Sequence, residues 1–410
     1  MKILMVNKFL YPNGGSETYI FQLGRELEKM GHEVEYFGME HKERIVGNRV
    51  ESYTSNMDFH TSGIRRLLYP FQIIYSMEAR KKLRAVLKDF KPDVVHLNNF
   101  NFQLTPSIIY EVESFDKKRK KKTVLVYTAH DYQWVCPNHM MKIPSTGELC
   151  SRCVEGDFSH CSRNKCIHNS GIKSMLGRME GALYKKLGTY RKIDTVICPS
   201  RFMERVLSRN PVLRGKTVVL HNFIDKVSKS GGAEEKEKNY VLYLGRYDKE
   251  KGIETLWKVC RKLKHIPFVF AGKGVLEEKL KDVPNIQNRG FLSGGELGKL
   301  IEGARFLVFP SEWYENCPFT VMEAQMHGTP VLASDLGGTP ELIRVGKTGE
   351  LFEAGNIKEL EKKIEELWED DVKCREYAEN CGQMQFDTAE SYCRKLLRIY
   401  RGERENGGEE

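Results

Sequence analysis

The chain has 410 residues, of which 40% are hydrophobic and 30% charged, and its formal net charge is +9. This length suits two or three domains of roughly 100 to 200 residues each, and the apolar content excludes a disordered chain. No run reaches the roughly 18 uncharged apolar residues of a transmembrane helix, and Lys8 interrupts the first apolar segment, so we expect a cytoplasmic protein without a signal peptide.

The excess positive charge lies in the first half of the chain. Residues 1–200 contain 31 Lys and Arg against 21 Asp and Glu, whereas the remainder contains 34 against 35. An anionic partner of the first half is therefore expected, such as an acidic substrate or an anionic membrane surface.

Short apolar segments alternate with longer amphipathic segments, a pattern typical of parallel sheets covered by helices on both faces. In the first half this pattern predicts strands at Lys2–Val6, Glu33–Phe37, Val94–Leu97, Thr123–Tyr127 and Thr195–Cys198. The helices predicted between them cover Glu17–Met30, Arg65–Lys88 and Ser174–Tyr190.

The same α/β pattern starts again in the second half. Strands are predicted at Thr217–Leu220, Tyr240–Leu244, Phe268–Ala271, Phe306–Phe309 and Val331–Ala333, and helices at Ile253–Leu263, Gly295–Glu302, Phe319–His327 and Ile357–Glu369. Two doubly wound domains in tandem are therefore predicted, at residues 1–199 and 200–385, followed by a closing helix and a frayed tail at 386–410. The charged residues 226–238 are predicted to form an exposed loop.

The segment FPSEWYENCPFTVMEAQMHGTP gives the strongest local signal. Pro318 favours the start of a helix, and it lies between two carboxylates, Glu315 and Glu323. The N–H groups of Phe319 and Thr320 would then be unpaired at the helix N-terminus, where they can hold an anion or sugar hydroxyls. Open parallel sheets bind ligands at this carboxyl edge. Taken alone, two such glutamates would more simply be solvated surface residues.

Two further motifs follow predicted strands. Arg246 and Lys251, in YLGRYDKEKG, can neutralise a diphosphate, Arg246 through paired hydrogen bonds. Gly14 and Gly15 follow the first strand and open a helix, so the backbone there can approach a phosphate closely. The simpler alternatives are a solvated basic surface for the first motif and an ordinary tight turn for the second.

Together with the run GTPVLASDLGGTPELI, these motifs resemble glycosyltransferase family 4 over nearly the whole chain. The resemblance implies the GT-B fold, in which two Rossmann-like domains face each other across a cleft and the C-terminal helix closes back. It also implies a retaining hexosyltransferase that moves a sugar from a UDP- or GDP-sugar to a hydroxyl acceptor. The expected acceptor is a lipid-linked or polysaccharide glycan in cell-surface glycan assembly.

The family resemblance assigns a role to each candidate residue. Glu323 binds the ribose hydroxyls, Glu315 lies by the donor sugar, and the two cations neutralise the leaving diphosphate, so no cofactor or divalent ion is required. The implied catalytic residues are His130, Arg246, Lys251 and Glu315. The implied donor-binding residues are Gly14, Gly15, Gly272, Gly274, Cys317, Pro318, Phe319, Thr320 and Glu323.

Five cysteines crowd a predicted insertion at residues 136–168. Cys150 and Cys153 form a C-x2-C pair, and Cys161 and Cys166 would complete a tetrahedral zinc site, with Cys136 left unexplained. The alternative is that all five are free thiols.

Two segments, 64–87 and 172–193, mix basic and apolar residues at helical spacing. We expect them to dock on an anionic membrane, unless their apolar residues simply face the core.

Two other functional classes are compatible with parts of the sequence. A nicotinamide-dependent oxidoreductase would also use tandem Rossmann domains, but the loop at Gly14 and Gly15 lacks the third glycine of the dinucleotide motif. A nucleic-acid-binding protein would explain the basic first half. It would need aromatic residues among the charges, and the basic run KKRKKK at 117–122 has none, so nucleic acid is not an expected partner.

Overall fold

The computed structural model describes residues 1–56, 73–225 and 238–403. These residues form two compact units, one built from Met1–Asn222 with the segment that begins at Ala389, the other from Phe223–Thr388. Part of the predicted helix Arg65–Lys88, nearly all of the predicted loop 226–238 and most of the predicted tail lie outside the described residues. Within the described ranges, no helix combines the length and the apolar character needed to cross a bilayer.

The first unit contains a six-stranded parallel sheet. Its strands are β1 (Lys2–Val6), β2 (Glu33–Phe37), β3 (Val94–Leu97), β4 (Val124–Thr128), β5 (Thr195–Cys198) and β6 (Thr217–Val219), in the spatial order β2-β1-β3-β4-β5-β6. The chain runs from β1 to β2 on one side and then places β3 on the other side of β1. The topological switch point, where open α/β sheets bind ligands, therefore lies between β1 and β3.

Helices cover this sheet, and α1 shows how the sequence forms them. Its apolar residues Tyr19, Ile20, Leu23 and Leu27 recur at helical spacing and are buried. The described helices of the first unit up to residue 222 are α1 (Gly15–Lys29), α2 (Met77–Phe90), α3 (Ser107–Arg119), α4 (Ser159–Arg163), α5 (Gly171–Lys186) and α6 (Arg201–Leu207).

The second unit repeats the architecture. Its strands are β7 (Val241–Leu244), β8 (Phe268–Ala271), β9 (Ile286–Asn288), β10 (Phe306–Phe309), β11 (Val331–Ser334) and β12 (Gly349–Phe352), in the order β12-β11-β10-β7-β8-β9. The helices are α7 (Ile253–Cys260), α8 (Gly294–Glu302), α9 (Phe319–Met326), α10 (Ile357–Glu369) and α11 (Asp371–Cys381). Here the switch point lies between β7 and β10, which pair in parallel.

The division between the units differs from the predicted boundary near Pro199. Strand β6 pairs with β5, so residues 200–222 belong to the first sheet and not to the second domain. The last described helix, α12 (Ala389–Tyr400), also belongs to the first unit. Its Tyr392 hydroxyl lies 2.9 Å from the Tyr19 hydroxyl of α1, so the C-terminal helix closes back on the N-terminal unit as predicted.

Candidate active site

A lysine and a glutamate meet at the switch point of the second sheet. Lys251 ends a short 3-10 helix after β7, and Glu315 lies in the loop after β10. The Lys251 Nζ atom lies 2.5 Å from Glu315 Oε1. The same oxygen accepts hydrogen bonds from Ser311 Oγ at 2.9 Å and from Trp313 Nε1 at 2.6 Å. The structure thus brings these two predicted catalytic residues into direct contact.

The Lys251–Glu315 pair is largely withdrawn from water. Glu315 is only 8% exposed, and the Lys251 ammonium lies 5.2 Å from the centre of the Trp313 ring. Several hydrogen bonds must offset the cost of burying both charges. The lysine is therefore held in one place at the carboxyl edge of the sheet, where a ligand phosphate could share it with Glu315.

Glycine at position 252 allows the two loops to come together. A Cβ atom at Gly252 would lie 1.7 Å from the Pro310 carbonyl oxygen, and its φ of +68° disfavours other residues. A hydrogen bond of 2.8 Å from Glu312 N to Glu250 O joins the same loops. The glycine of the DKEKG motif is therefore required by packing against the end of β10.

We expect Gly252→Ala to lower the unfolding temperature far more than Gly290→Ala. Gly290 has a matching φ of +66° but open space where a Cβ would lie, so its substitution should cost only the roughly 1 to 2 kcal/mol of a left-handed alanine. Gly252→Ala adds a backbone clash. Thermal unfolding of both variants measures the difference, and equal losses would contradict the close approach of the loops.

Arg246 is placed differently from Lys251. Its Nη1 atom lies 3.0 Å from Asp248 Oδ2, and its side chain is 68% exposed. The structure therefore holds this predicted catalytic cation at the surface of the loop after β7, paired with an aspartate, whereas Lys251 is paired with Glu315.

Helix α9 presents its N-terminus just after Glu315. Pro318 occupies the N-cap position, so the helix begins one residue later than a proline at the first helical position would imply. Among the described residues, no side chain caps this helix, and the N–H groups of Phe319 and Thr320 have no acceptor. The Cys317 side chain is buried against Met322, with its Sγ atom 3.8 Å from the Met322 Sδ atom.

Glu323 lies one turn into α9 and is half-buried. Burial raises the pKa of this carboxyl above its usual value, and the nearby His327 partly opposes that shift. The His327 ring is itself held by Glu302, with Nδ1 3.0 Å from Oε1. Hydroxyl donors of a ligand would relieve the desolvation of a Glu323 carboxylate.

The structure shows why positions 272 and 274 are glycines, which the sequence did not reveal. A Cβ at Gly272 would lie 1.9 Å from the Gly245 carbonyl oxygen, and one at Gly274 would lie 2.6 Å from the Tyr247 nitrogen. These glycines make room for the backbone of the loop that carries Arg246. Their approach to a nucleotide stays a prediction.

A polar network occupies the switch point of the first sheet. Glu17 Oε1 accepts hydrogen bonds of 2.9 Å from both Asn7 and Ser16, and Asn99 donates to Ser16 Oγ at 2.8 Å. Gly14 caps α1 in an extended conformation, where an added Cβ would make only an ordinary 3.5 Å contact with Glu17. Packing therefore does not require glycine at this position. The sequence did not reveal the hydrogen-bond network around Glu17, because the residues that form it come from three separate segments of the chain.

His130 follows β4 and is held as a neutral imidazole. Its Nε2 atom lies 2.9 Å from Asn98 Oδ1, and its ring meets the Tyr19 ring edge-on at 5.1 Å. The Asn98 amide nitrogen donates to the His96 carbonyl at 3.3 Å, so its oxygen faces His130 and Nε2 carries the proton. Burial lowers the pKa of His130 to about 3.

The His130 side chain is therefore expected to show no protonation step between about pH 5 and pH 8, in contrast to an ordinary histidine with a pKa near 6.5. The C2–H resonance, assigned by its loss in His130→Gln, should hold its chemical shift across this range. A titration midpoint inside it would show that the imidazole is solvated.

The cysteine block contains free thiols within the described residues. Cys136, Cys150, Cys153, Cys161 and Cys166 all line one small cavity. No three Cys, His, Asp or Glu side chains of the described ranges stand in the arrangement of a metal site.

Two family models match the chain. The model described as Glycosyltransferase Family 4 matches residues 13–227, more than half of the chain, and the model described as Glycosyl transferases group 1 matches residues 225–384.

Similar proteins come from plants and bacteria. The sulfoquinovosyl transferase SQD2 of Arabidopsis thaliana is 34% identical over 165 residues, which are 38% of this chain but only 31% of the plant protein. An uncharacterised 42.6 kDa protein in the cps region of Klebsiella pneumoniae is 24% identical, covering 84% of this chain and 88% of that protein.

Solved structures share the fold over nearly the full length. The sucrose-phosphate synthase of Thermosynechococcus elongatus superposes with a TM-score of 0.71 at 17% identity, covering 98% of each chain. Anabaena Alr3699/HepE in complex with UDP gives a TM-score of 0.64 at 16% identity, covering 98% of this chain and all of that one. At these identities the likeness shows the fold alone. With the family models, it shows that the chain belongs to glycosyltransferase family 4 and adopts the GT-B fold.

Proposed function

We propose that this family 4 glycosyltransferase is a retaining enzyme that transfers a sugar from a UDP- or GDP-sugar to a hydroxyl of a polysaccharide or lipid-linked glycan during cell-surface glycan assembly. The observation that carries the proposal is the Lys251–Glu315 pair at the β7–β10 switch point, four residues before the open N-terminus of α9. A fixed cation and a helix N-terminus are the groups that best hold a diphosphate.

The reaction breaks the bond between the anomeric carbon and the diphosphate, so negative charge develops on the leaving phosphate. Lys251 and Arg246 stabilise that charge, and the N–H groups at Phe319 and Thr320 add partial positive charge. The acceptor hydroxyl attacks the same face of the sugar and gives its proton to the leaving phosphate, so no carboxylate is needed as general base. Neutral His130 contributes hydrogen bonding beside the reacting carbon without adding charge.

Two relatives support the choice of UDP and GDP as candidate nucleotides. HepE is described in complex with UDP and glucose, and a Corynebacterium glutamicum relative, 30% identical over 168 residues, is a GDP-mannose-dependent alpha-mannosyltransferase. Neither comparison favours the nicotinamide or nucleic-acid alternative. We assign the ribose hydroxyls of either nucleotide to Glu323.

Nucleotide binding tests the donor assignment. A ligand at 100 times its dissociation constant stabilises a protein by about 2.7 kcal/mol, so UDP or GDP, and one of their sugars, should raise the unfolding temperature. NAD and a mixed-sequence RNA are the comparison ligands. Stabilisation by NAD alone would support the oxidoreductase alternative, and no shift with any nucleoside diphosphate would contradict the proposal.

A lipid-linked acceptor would meet the enzyme at a membrane, and the outer face of α5 supports such docking. Ile172 is 77% exposed, Met175 44% and Met179 52%, and they follow one another at helical spacing. Basic residues flank them on the same helix, namely Lys173, Arg178, Lys185 and Lys186. This combination of exposed apolar and basic side chains suits an anionic lipid surface.

The other predicted membrane segment gives no such support. Its residues 64–72 lie outside the described part of the chain. In the described part, Arg80 and Arg84 both pair with Glu111, and Leu83 and Leu87 are buried. Membrane docking is therefore assigned to α5.

We expect the protein to sediment with anionic vesicles at low salt and to be released by added salt, since each basic residue near such a surface contributes roughly 1 kcal/mol. The triple change Ile172→Ser, Met175→Ser and Met179→Ser should reduce sedimentation. The double change Lys358→Ala and Lys362→Ala removes two charges from α10, in the second unit. It should not reduce sedimentation. Equal sedimentation with neutral and anionic lipid would instead favour a soluble acceptor.

A further inference from the structure

The insertion between β4 and α5 has little regular structure to hold it. Within residues 131–170, the described elements are the five-residue helix α4 and one isolated bridge between Lys142 and Leu149. Isolated domains shorter than about 40 residues usually need a disulfide or a metal ion to be stable. Trp134 anchors the start of the insertion to the first unit by stacking on Tyr127 and Tyr190, and a cross-link would stabilise the remainder in the same way.

Cysteines form much of the core of this insertion. The buried cluster contains Ile143 and Phe158 together with Cys153, Cys161 and Cys166, and Cys150 packs against it. The described cysteines are free, so no disulfide joins them. One cavity is nevertheless lined by all five cysteines of the block.

We propose that this cavity binds one zinc ion through Cys136, Cys150, Cys153 and Cys166. Cys136 lies near the start of the insertion, the C-x2-C pair in its middle and Cys166 near its end. A single ion would thus tie the whole insertion together, whereas the four later cysteines alone would leave its first part unlinked. Thiolate sulfur is a preferred zinc ligand, and four such ligands make a closed structural site.

The Cys136 thiol donates a hydrogen bond to Asn138 Oδ1 at 2.8 Å, which holds this side chain beside the cavity. This hydrogen bond must break when Cys136 loses its proton to bind zinc. The thiol of Cys161 is hydrogen-bonded to Cys166, a position that suits an outer donor to a ligand.

Binding requires a rearrangement of the thiols. In the described structure, no three potential ligands yet have the spacing of a metal site, and zinc–sulfur bonds are about 2.3 Å long. The four side chains must turn towards the cavity as four zinc–sulfur bonds form. Each thiol then loses its proton to solvent, and zinc stays divalent throughout.

The zinc ion would fix the segment that joins His130 to α5. His130 precedes Cys136 by six residues, and α5 packs closely on the block, where Ile167 N donates to Ser174 Oγ at 2.9 Å. A Cβ at Gly177 would lie 2.4 Å from Ile167, and one at Gly181 would lie 2.8 Å from Phe158. These contacts connect the cysteine block to the helix that carries the exposed face.

Metal analysis of the full-length protein tests the proposal independently of sugar transfer. After removal of metal and addition of zinc, one ion per chain should remain through gel filtration. Cobalt substitution should give thiolate-to-cobalt charge transfer in the near ultraviolet together with the intense visible bands of tetrahedral cobalt. Absence of bound zinc and of these bands in the wild-type chain would overturn the site.

Single substitutions then test the ligand set. Cys136→Ser, Cys150→Ser, Cys153→Ser and Cys166→Ser should each abolish stoichiometric binding. Cys161→Ser should retain the ion, as should Cys260→Ser, which changes a buried cysteine of the second unit. Nucleotide-induced stabilisation of each variant reports whether the second unit is folded. Loss of zinc in Cys161→Ser with retention in Cys136→Ser would overturn the assigned ligands.

Discussion

Lys251→Ala should slow sugar transfer about 100-fold or more, because removal of one preplaced charge-stabilising group typically costs about 2.7 to 4 kcal/mol of transition-state stabilisation. The lysine is held against Glu315 at 2.5 Å, so its charge needs no reorganisation as the diphosphate leaves. Ser311 and Trp313 would still donate to Glu315 in the variant, but the buried carboxylate would lose its cation, so the unfolding temperature of the variant is measured beside its kcat. Steady-state kinetics with the identified donor measure the effect on kcat.

Lys249→Ala is the matched control, since this exposed lysine lies in the same 3-10 helix and carries the same charge. Its kcat should stay near that of the wild type. Arg246→Ala should also slow transfer about 100-fold. Because the Arg246 side chain is 68% exposed, its loss should not change the unfolding temperature. Wild-type turnover in either Lys251→Ala or Arg246→Ala would contradict the role assigned to that residue.

Glu323→Ala should weaken nucleotide binding about 100-fold, since two ribose hydroxyls would each lose a charged acceptor at about 1.5 kcal/mol apiece. Titration calorimetry with the preferred nucleoside diphosphate measures this loss. Glu296→Ala, on the exposed face of α8, is the control and should bind normally. Unchanged affinity in Glu323→Ala would remove the ribose assignment.

The same carboxyl should make binding depend on pH. Burial raises the pKa of Glu323, so the protonated form appears at a higher pH than for an ordinary glutamate. Affinity should be full above this raised pKa and should fall as the pH drops through it. Glu323→Gln should bind weakly at neutral pH and lose this dependence.

In the two described sheets, the sequence predicted every central strand but only two of the four edge strands, β2 and β6. Val241–Leu244 and Phe306–Phe309 are continuous apolar runs buried on both faces, and both predictions are confirmed to within one residue. The edge strands β9 (Ile286–Asn288) and β12 (Gly349–Phe352) were missed, because an edge strand needs fewer apolar residues and each contains polar ones. Helix α11 was missed as well, since its mostly polar sequence buries only Cys374, Tyr377 and Cys381.

For the candidate site, the sequence predicted the residues but not the contacts between them. Lys251 and Glu315 were identified from motifs, but their contact and the hydrogen bonds from Ser311 and Trp313 depend on side-chain directions that spacing does not specify. Gly252 reads as an ordinary turn residue in the sequence. The need for glycine at position 252 becomes clear only from the structure, in which the Pro310 carbonyl after β10 lies beside it.

The most direct test of the proposed function is donor turnover without acceptor. Incubation of the wild-type chain with individual UDP- and GDP-sugars, followed by mass spectrometry, should detect slow release of UDP or GDP from a preferred donor. Lys251→Ala should show release reduced about 100-fold, and Lys249→Ala should match the wild type. Failure to release a nucleoside diphosphate from any of these sugars, or equal release by Lys251→Ala, would contradict a nucleotide-sugar transferase that works through the Lys251–Glu315 site.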